Sequence, residues 1–567
     1  MKNNTFWQGI VVSVVLSFIF LYSTIFHLNT PIQLSHGDTF HVTLTLKHYM
    51  DIALNNDWKN ILQMPDFYGF KHSLLYSELF IFQALSAFPL FIVFKNIITV
   101  FNILSVLTMA ASSFSMFVFA KYITKKFWPS VLAAVIFVFN PFVIGHYPDN
   151  LHYYSLYFLP LIFLYVEKFL KEHSNKNAFL LFLFLALQSL TALTFGALLT
   201  IILPLYTLIR IVQLKSLKNI YDIKKFVNIG AIVGLVLFAA VNLNINKVYS
   251  IYFKDTSFGR DLEQTEAFSP WVSDLIQVAP NNLVWGWGRQ FLKSNFSSII
   301  FDSPEYIERD LFFGITVWIL IIISFFTLRK SENKKLWLTC IIVSAVCLLL
   351  SFGPKISFTN NFSIPGPYIL AWKIDPLLQD LRVASRFMFL AYLFIAIISA
   401  MVVAKKSRVF ALIAIFFVIL EYSSVPWKYV PIPNNIVNYY SFIQNNPNIK
   451  VIIELPIGNL FTPISASNNQ FIDTSYMLYE SQLHDKKMLN GYSSYTPDAY
   501  IPRVEYLSIN FPTPSKLDQL KKWGVDAISL HREGFVYPED FDQIESRLNS
   551  LGLKEIYKSD GLALFKL

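Results

Sequence analysis

Long apolar runs separated by short polar stretches dominate the first 425 residues of the chain. About 20 apolar residues in a helix, rising 1.5 Å each, cross the roughly 30 Å hydrocarbon core of a bilayer. On that criterion the pattern predicts spans at 7–27, 98–120, 127–145, 152–168, 177–193, 195–212, 226–246, 311–328, 336–352, 386–404 and 409–425. A further run, Leu79–Phe94, contains Pro89 and is barely long enough to cross. After Pro426 the pattern changes. "KVIIEL" (450–455) reads as a short buried strand, "PSKLDQLKKWG" (514–524) as a helix closed by Gly524, and "VDAISLH" as the strand after it. "PEDFDQIESRLNSLG" opens on Pro538 and closes on Gly552 as a second helix, and "GLALFKL" ends the chain as a strand. The predicted class is a membrane all-α bundle of about eleven transmembrane helices, residues 1–425, carrying a small external α/β domain, residues 426–567.

Composition agrees with this reading. Of the 567 residues 54% are hydrophobic and 15% charged, against about 25% charged in a soluble chain. The first run has no clear small-residue cleavage site and many spans follow it, so it reads as an uncleaved helix. Cys340 and Cys347 lie on one face of one apolar helix, too far apart for a bridge, which needs Cα atoms within about 7 Å. The net charge of +9 would suggest a nucleic-acid partner until the charges are placed. With Lys2 cytoplasmic and Leu79–Phe94 not crossing, the basic clusters Lys121/Lys125/Lys126, Lys168/Lys171/Lys176, Arg210–Lys225, Arg329–Lys335 and Lys405–Arg408 all fall in cytoplasmic loops. If Leu79–Phe94 crossed, each would flip outside. It therefore reads as a re-entrant or interfacial helix on the outer face. The chain is expected in the cytoplasmic membrane, with no nucleic-acid partner. The external pieces are then 28–97, 146–151, 247–310, 353–385 and the C-terminal domain.

The external pieces hold the residues that suggest chemistry. "LSHGDTFH" sets Asp38 beside His36 just past the first span. Asp38 suits a general base or a metal-coordinating acid, and equally a helix N-cap. Glu78 heads the Leu79–Phe94 run, as a rival acid or as ordinary helix N-terminal charge. "GHYPDNLHYYS" gathers His146, Asp149, Asn150 and His152 on a tight turn; Pro-Asp-Asn is also plain turn chemistry, and polar contact to a substrate is preferred over a metal site. Gln188, Ser189, Thr191 and Thr194 end one span and read as helix–helix bonding except near the outer end. Arg260, Glu308 and the pair Arg382 and Arg386 fall in the pieces read as external, the arginines against the positive-inside bias. A guanidinium fork suits a phosphate or diphosphate; pairing with Asp380 or lipid headgroups is the other reading. An acid beside an anion clamp at a bilayer surface suits transfer from a lipid-linked phosphate donor. Tyr476, Tyr479, Tyr492 and Tyr495 are candidates to bind an acceptor glycan, or core residues.

In order along the chain, "GDTF", "FYGFKHSLLYSELFIFQALSAFPLF", "FNPFVIGHYPDNLHYYSLYFLPLIFLYVEKFL", "LALQSLTALTFGALL", "SFGP", "LRVASRF", "VIIELPIG", "YMLYES", "LNGYSSYTP" and "WGVDAISLHR" resemble membrane glycosyltransferases of the GT-C fold, in a bacterial and archaeal branch with an external C-terminal domain. The resemblance implies a sugar donor on polyprenyl phosphate or diphosphate, an envelope glycan, lipid or protein acceptor, and inverting transfer on the outer face. It implies Asp38 as the base, with Glu78 its rival. Arg260, Arg382 and Arg386 would hold the donor phosphate, and His36, His146, Asp149, Asn150, His152 and Glu308 would contact substrate. Thr39 stands where a second acid would complete an Asp-Glu pair. No metal ligand set is implied, and a divalent cation is left open. The alternative reading is a non-catalytic membrane protein that binds or transports a lipid-linked glycan.

Overall fold

The structure is a computed structural model and describes residues 3–32, 38–214, 228–252, 260–279, 281–295, 307–457, 476, 478–535 and 537–567. Among these, six helices are long and apolar enough to cross a membrane: Asn4–Phe26, Ile97–Thr124, Leu193–Leu214, Ile229–Ser250, Lys334–Ser351 and Ala384–Val403. Shorter helices at Phe127–Val138, Leu159–Glu172, Asn175–Thr191, Ile315–Thr327 and Arg408–Tyr422 fall where the other apolar runs predicted spans.

Two of those predicted spans are interrupted. The run 127–145 stops at Val138; Asn140 turns extended, accepts the Val143 N–H at 3.0 Å, and starts the short helix Pro141–Gly145 with proline in its first turn. The run 152–168 splits into Leu151–Tyr154 and Leu159–Glu172, the second with Pro160 in its first turn. Hydropathy misses both breaks because the residues around them are apolar. The breaks deliver the turn His146–Asn150 to the mouth of the bundle. Leu79–Phe94 forms the helix Ile81–Phe94, about 21 Å long at 1.5 Å per residue.

The helix Met388–Val403 is buried along its whole length, packed by Phe127–Val138, Lys334–Ser351 and Ile315–Thr327, as its uninterrupted apolar sequence requires. A buried ion pair ties two neighbouring helices: Arg210 donates to Glu167 at 2.5 and 2.9 Å, and the Tyr206 hydroxyl donates to the same carboxylate at 2.9 Å. Each charge is compensated, so neither is stranded in the interior.

The C-terminal residues are built on a mixed sheet. Its strands are β3 (Val451–Leu455), β4 (Lys487–Met488), β5 (Ala527–His531), β6 (Lys554–Ser559) and β7 (Leu562–Lys566), in the order β4-β3-β5-β7-β6. β3 runs parallel to β4 and β5, and β7 antiparallel to β5 and β6. β3 and β5 are buried at every position, and their polar side chains pair with one another: His531 Nε2 lies 2.7 Å from Glu454 Oε2 and 3.0 Å from Ser529 Oγ. An isolated hairpin, β1 (Lys355–Thr359) with β2 (Phe362–Pro365), lies in the 353–385 segment.

The core beneath the sheet is not closed by the C-terminal residues alone. Phe40, Leu44, Phe67, Leu75 and Tyr76 from the segment after the first span join Ile452, Ile453, Ile528, Leu530 and Leu564 in one apolar cluster. The backbones also pair: Phe67 N–H donates to Asn490 O at 2.8 Å, Tyr68 N–H to Met488 O at 2.9 Å, and Met488 N–H to Pro65 O at 3.0 Å. Gly491 is required for this approach, because a Cβ there would lie 2.3 Å from the Phe67 ring.

Candidate active site

Asp38 is the first residue of the helix Asp38–Asn55, which returns from the end of the first span. Its carboxylate takes one hydrogen bond on each oxygen: the Tyr492 hydroxyl donates to Oδ1 at 2.8 Å and the Asn150 amide to Oδ2 at 2.7 Å. Next to it the Thr39 hydroxyl donates to Asp149 at 2.6 Å. Burial, and then the neighbouring Asp149, push the Asp38 carboxyl above the usual carboxylate range; the bonds from Tyr492 and Asn150 and the charge of Arg382 pull the other way. A raised carboxylate that accepts one hydrogen bond on each oxygen among the described residues is suited to accept a proton.

A second network adjoins the first. His146 donates from Nδ1 to the Phe142 carbonyl at 2.7 Å, which leaves Nε2 to face Glu308 at 2.9 Å. Arg386 reaches the other Glu308 oxygen at 4.0 Å and lies over the Tyr153 ring at 4.5 Å. His146, Arg386 and Arg382 together hold the Glu308 carboxyl down at about 2, against the opposing effect of burial. Glu308 is thus a fixed negative charge orienting His146 and Arg386. Arg386 belongs to a single helical turn, Ala384–Phe387, that leads into the buried central helix, and Arg382 stands two residues before that turn, so their backbones are held by the core.

Arg382 and Arg386 line a cavity of about 670 Å³ with Arg260, Glu78, His152, Tyr153 and Tyr495. Leu185, Leu199, Leu203, Pro204 and Phe238, from the helices Asn175–Thr191, Leu193–Leu214 and Ile229–Tyr252, supply apolar wall to the same space. Arg260 donates to the Ser494 carbonyl at 2.9 Å and stacks on the Tyr495 ring at 4.1 Å. Arg382 lies over the Phe268 ring at 4.9 Å. The Nε atoms of Arg260 and Arg386 are buried without a hydrogen-bond partner among the described residues.

Glu78 also lines the cavity, and its carboxylate caps the helix Leu193–Leu214. It accepts from Leu193 N–H at 2.9 Å, Thr194 N–H at 3.2 Å and the Thr194 hydroxyl at 3.0 Å. Burial raises its carboxyl and these bonds offset part of the rise. Glu78→Gln is expected to destabilise the protein by about 1–3 kcal/mol, because the amide brings an NH₂ against one of the N–H donors. A thermal unfolding midpoint equal to that of the wild type would contradict the capping role.

Asp38, Asp149 and Asn150 form one network, His146, Glu308 and Arg386 another, and Arg382 acts electrostatically on the acids of both. Glu78, His152 and Arg260 join them around the cavity; Asp38 itself is not among its lining residues. His36 lies outside the described residues. His152 packs between the rings of Phe80 and Tyr153, with its Nδ1 buried and unpartnered among the described residues. Among the same residues no three His, Cys, Asp or Glu side chains converge as metal ligands. Of the polar residues at the end of Asn175–Thr191, Gln188 faces the cavity, and both its amide atoms are buried without a partner among the described residues.

Three contributors escaped the sequence reading. Tyr153 supports Arg386, and its only signal was its place in "DNLHYYS". Gln188 was read as helix glue. Tyr492 is one of the four tyrosines expected either to bind glycan or to form core, and its hydroxyl is spent on Asp38, 454 residues away in sequence. Tyr476, another of the four, is buried in the core of the C-terminal sheet.

No protein-family model matches the chain, and a search of curated proteins finds no match. Solved structures do match. The cryo-EM structure of the arabinofuranosyltransferase AftD from Mycobacteria aligns with a TM-score of 0.58 at 11% identity, over 100% of this chain and 40% of that one. ArnT from Cupriavidus metallidurans aligns at 11% identity in its apo state, with a TM-score of 0.41 over 98% of this chain and 97% of that one. Its structure bound to undecaprenyl phosphate aligns at 11% identity, with a TM-score of 0.38 over 100% and 98%. The likeness of fold rests on the first of these, of whose length the chain spans 40%. By that likeness, a helical membrane bundle with a small sheet near its C-terminus, the chain has the GT-C fold of membrane glycosyltransferases.

Proposed function

We propose that this chain is a membrane glycosyltransferase that takes a sugar from a polyprenyl-phosphate or diphosphate donor. The acceptor is an envelope glycan, lipid or protein on the outer face. The observation that carries the reading is a cavity lined both by three arginines and by the apolar surface of three helices, with the buried Asp38 carboxylate within electrostatic reach of one of those arginines, Arg382. Such a space matches a donor that is charged at its head and apolar along its tail. Asp38 accepts the proton of the acceptor hydroxyl, the freed oxygen attacks the anomeric carbon, and the bond to the phosphate oxygen breaks. Attack opposite the leaving group inverts the anomeric centre. Arg382 and Arg386, with Arg260, stabilise the negative charge arriving on the departing phosphate. Asp38 is preferred to Glu78 because Glu78 already accepts three hydrogen bonds as a helix cap.

The rival is a non-catalytic carrier of lipid-linked glycan. A carrier is expected to hold titratable groups deep in its spans. The Glu167–Arg210 pair lies near the ends of its two helices instead. Mass spectrometry of envelope glycans from a deletion strain tests the choice: a sugar is expected to disappear from one glycan, and unaltered glycans would remove the reading.

The proposed orientation has its own test. Cys340 and Cys347 are buried, so the background for thiol labelling is low. A single cysteine at Lys125 is expected to resist an impermeant reagent in intact cells, and one at exposed Ser515 to react. The reverse pattern would put the active face inside and make Leu79–Phe94 a span.

A further inference from the structure

We infer that Tyr492 is a positioning residue for Asp38, and that the external domain completes the active site through the segment Asn490–Tyr495. The inference rests on the reading of Asp38 as the base. The segment touches both halves of the machinery. Tyr492 donates to Asp38 Oδ1 at 2.8 Å. Two residues on, the Ser494 carbonyl accepts from Arg260 at 2.9 Å, and the Tyr495 ring carries the same guanidinium at 4.1 Å.

The segment is anchored on both sides. Asn490 exchanges two hydrogen bonds with Glu454 of β3, at 2.8 and 2.9 Å, and accepts Phe67 N–H at 2.8 Å. Gly491 N–H donates to the Tyr500 hydroxyl at 3.0 Å. Tyr495 N–H donates to Tyr76 O at 2.9 Å. A sheet strand thus dictates where the Tyr492 hydroxyl sits, and Asn150 fixes the other carboxylate oxygen from the membrane bundle. Two donors arriving from two structural units define the plane of the carboxylate and direct its remaining lone pairs. Neither unit alone specifies that plane.

The charged groups facing Asp38 are Asp149 from the turn and Arg382 from the bundle mouth. His41, on Asp38's own helix, lies against the Tyr492 ring. Removing one hydroxyl changes none of these charges, so its effect on Asp38 can be read directly. A donor to the ionised form lowers a carboxyl pKa, so its loss raises it.

The test is Tyr492→Phe in the full-length protein, reconstituted in lipid nanodiscs and followed by pH-titrated infrared spectra. The protonated-carboxyl band that vanishes in Asp38→Asn is assigned to Asp38. In Tyr492→Phe its midpoint is expected to rise by about one pH unit. In a deletion strain complemented with Tyr492→Phe, the affected envelope glycan is expected to fall by about tenfold at unchanged protein level. An unmoved midpoint and an undiminished glycan in Tyr492→Phe, with the glycan lost in Asp38→Asn, overturn the inference and leave the catalytic reading standing. A glycan that persists in Asp38→Asn overturns the reading itself, and the inference with it. A purely structural role for Tyr492 would lower the amount of folded protein without moving the Asp38 midpoint, and that result also overturns the inference.

Discussion

Asp38→Asn is expected to leave the protein folded and to slow glycan transfer by about 10²–10⁴-fold, the usual contribution of a positioned base. The fold should survive because Asn retains the shape of Asp and serves nearly as well at a helix start. Its Oδ1 can still accept from Tyr492. The new amide nitrogen would meet the Asn150 amide, a conflict that Asn150 relieves by turning its own side-chain oxygen toward it. What is lost is the capacity to take a proton. If Asp38 served only to start its helix, Asn would be nearly silent, and Asp38→Ala would cost about 1 kcal/mol of stability. The measurement is transfer per folded molecule, with Glu78→Gln as the companion. Full activity in Asp38→Asn would take the role from Asp38, and loss confined to Glu78→Gln beyond its effect on stability would pass it to Glu78.

The second large effect is expected at the arginines. Arg382→Ala and Arg386→Ala should each weaken productive donor use by about 10- to 150-fold, because a charge-assisted bond to phosphate contributes about 1.5–3 kcal/mol. Arg386 is the more exacting site. It is buried, stacked on Tyr153 at 4.5 Å, and 4.0 Å from Glu308, so its fork is already oriented before a ligand arrives. Arg386→Lys should recover only part of the loss, since an ammonium provides neither the fork nor the flat face for stacking. Arg386→Ala should also relax Glu308 upward from about 2, with His146 left as its partner. The check is kcat/KM for the lipid-linked donor in each variant. Unchanged values in both alanine variants would move the phosphate site elsewhere.

Much of the architecture was legible because its causes are local. Apolar runs of bilayer length predicted the helices, and "KVIIEL", "VDAISLH" and "GLALFKL" predicted three strands of the C-terminal sheet. Pro514, Pro538 and Gly552 marked helix ends through backbone constraints carried by single residues. The breaks near Phe139 and Ser155 were not legible. Asn140 and Pro160 act there inside otherwise apolar sequence, and hydropathy averages them away. The short strands β4 and β6 were missed because two residues, or a half-exposed run, carry no period to recognise.

The site divides along the same line. The sequence by itself determined which groups were available: an acid just after the first span, a polar turn, and a pair of arginines at the entrance to an apolar run. These follow from residue type and from position relative to apolar runs, both of which can be read one segment at a time. Only the tertiary structure decided their roles. It made Glu78 a cap for a helix that begins 115 residues later, set Glu308 between His146 and Arg386, and brought Tyr492 onto Asp38. Those contacts depend on the packing of separate elements around shared cores. The physical reason they were hidden is that a hydrogen-bond donor has no local preference for its distant acceptor, so partners far apart in sequence leave no pattern in either segment.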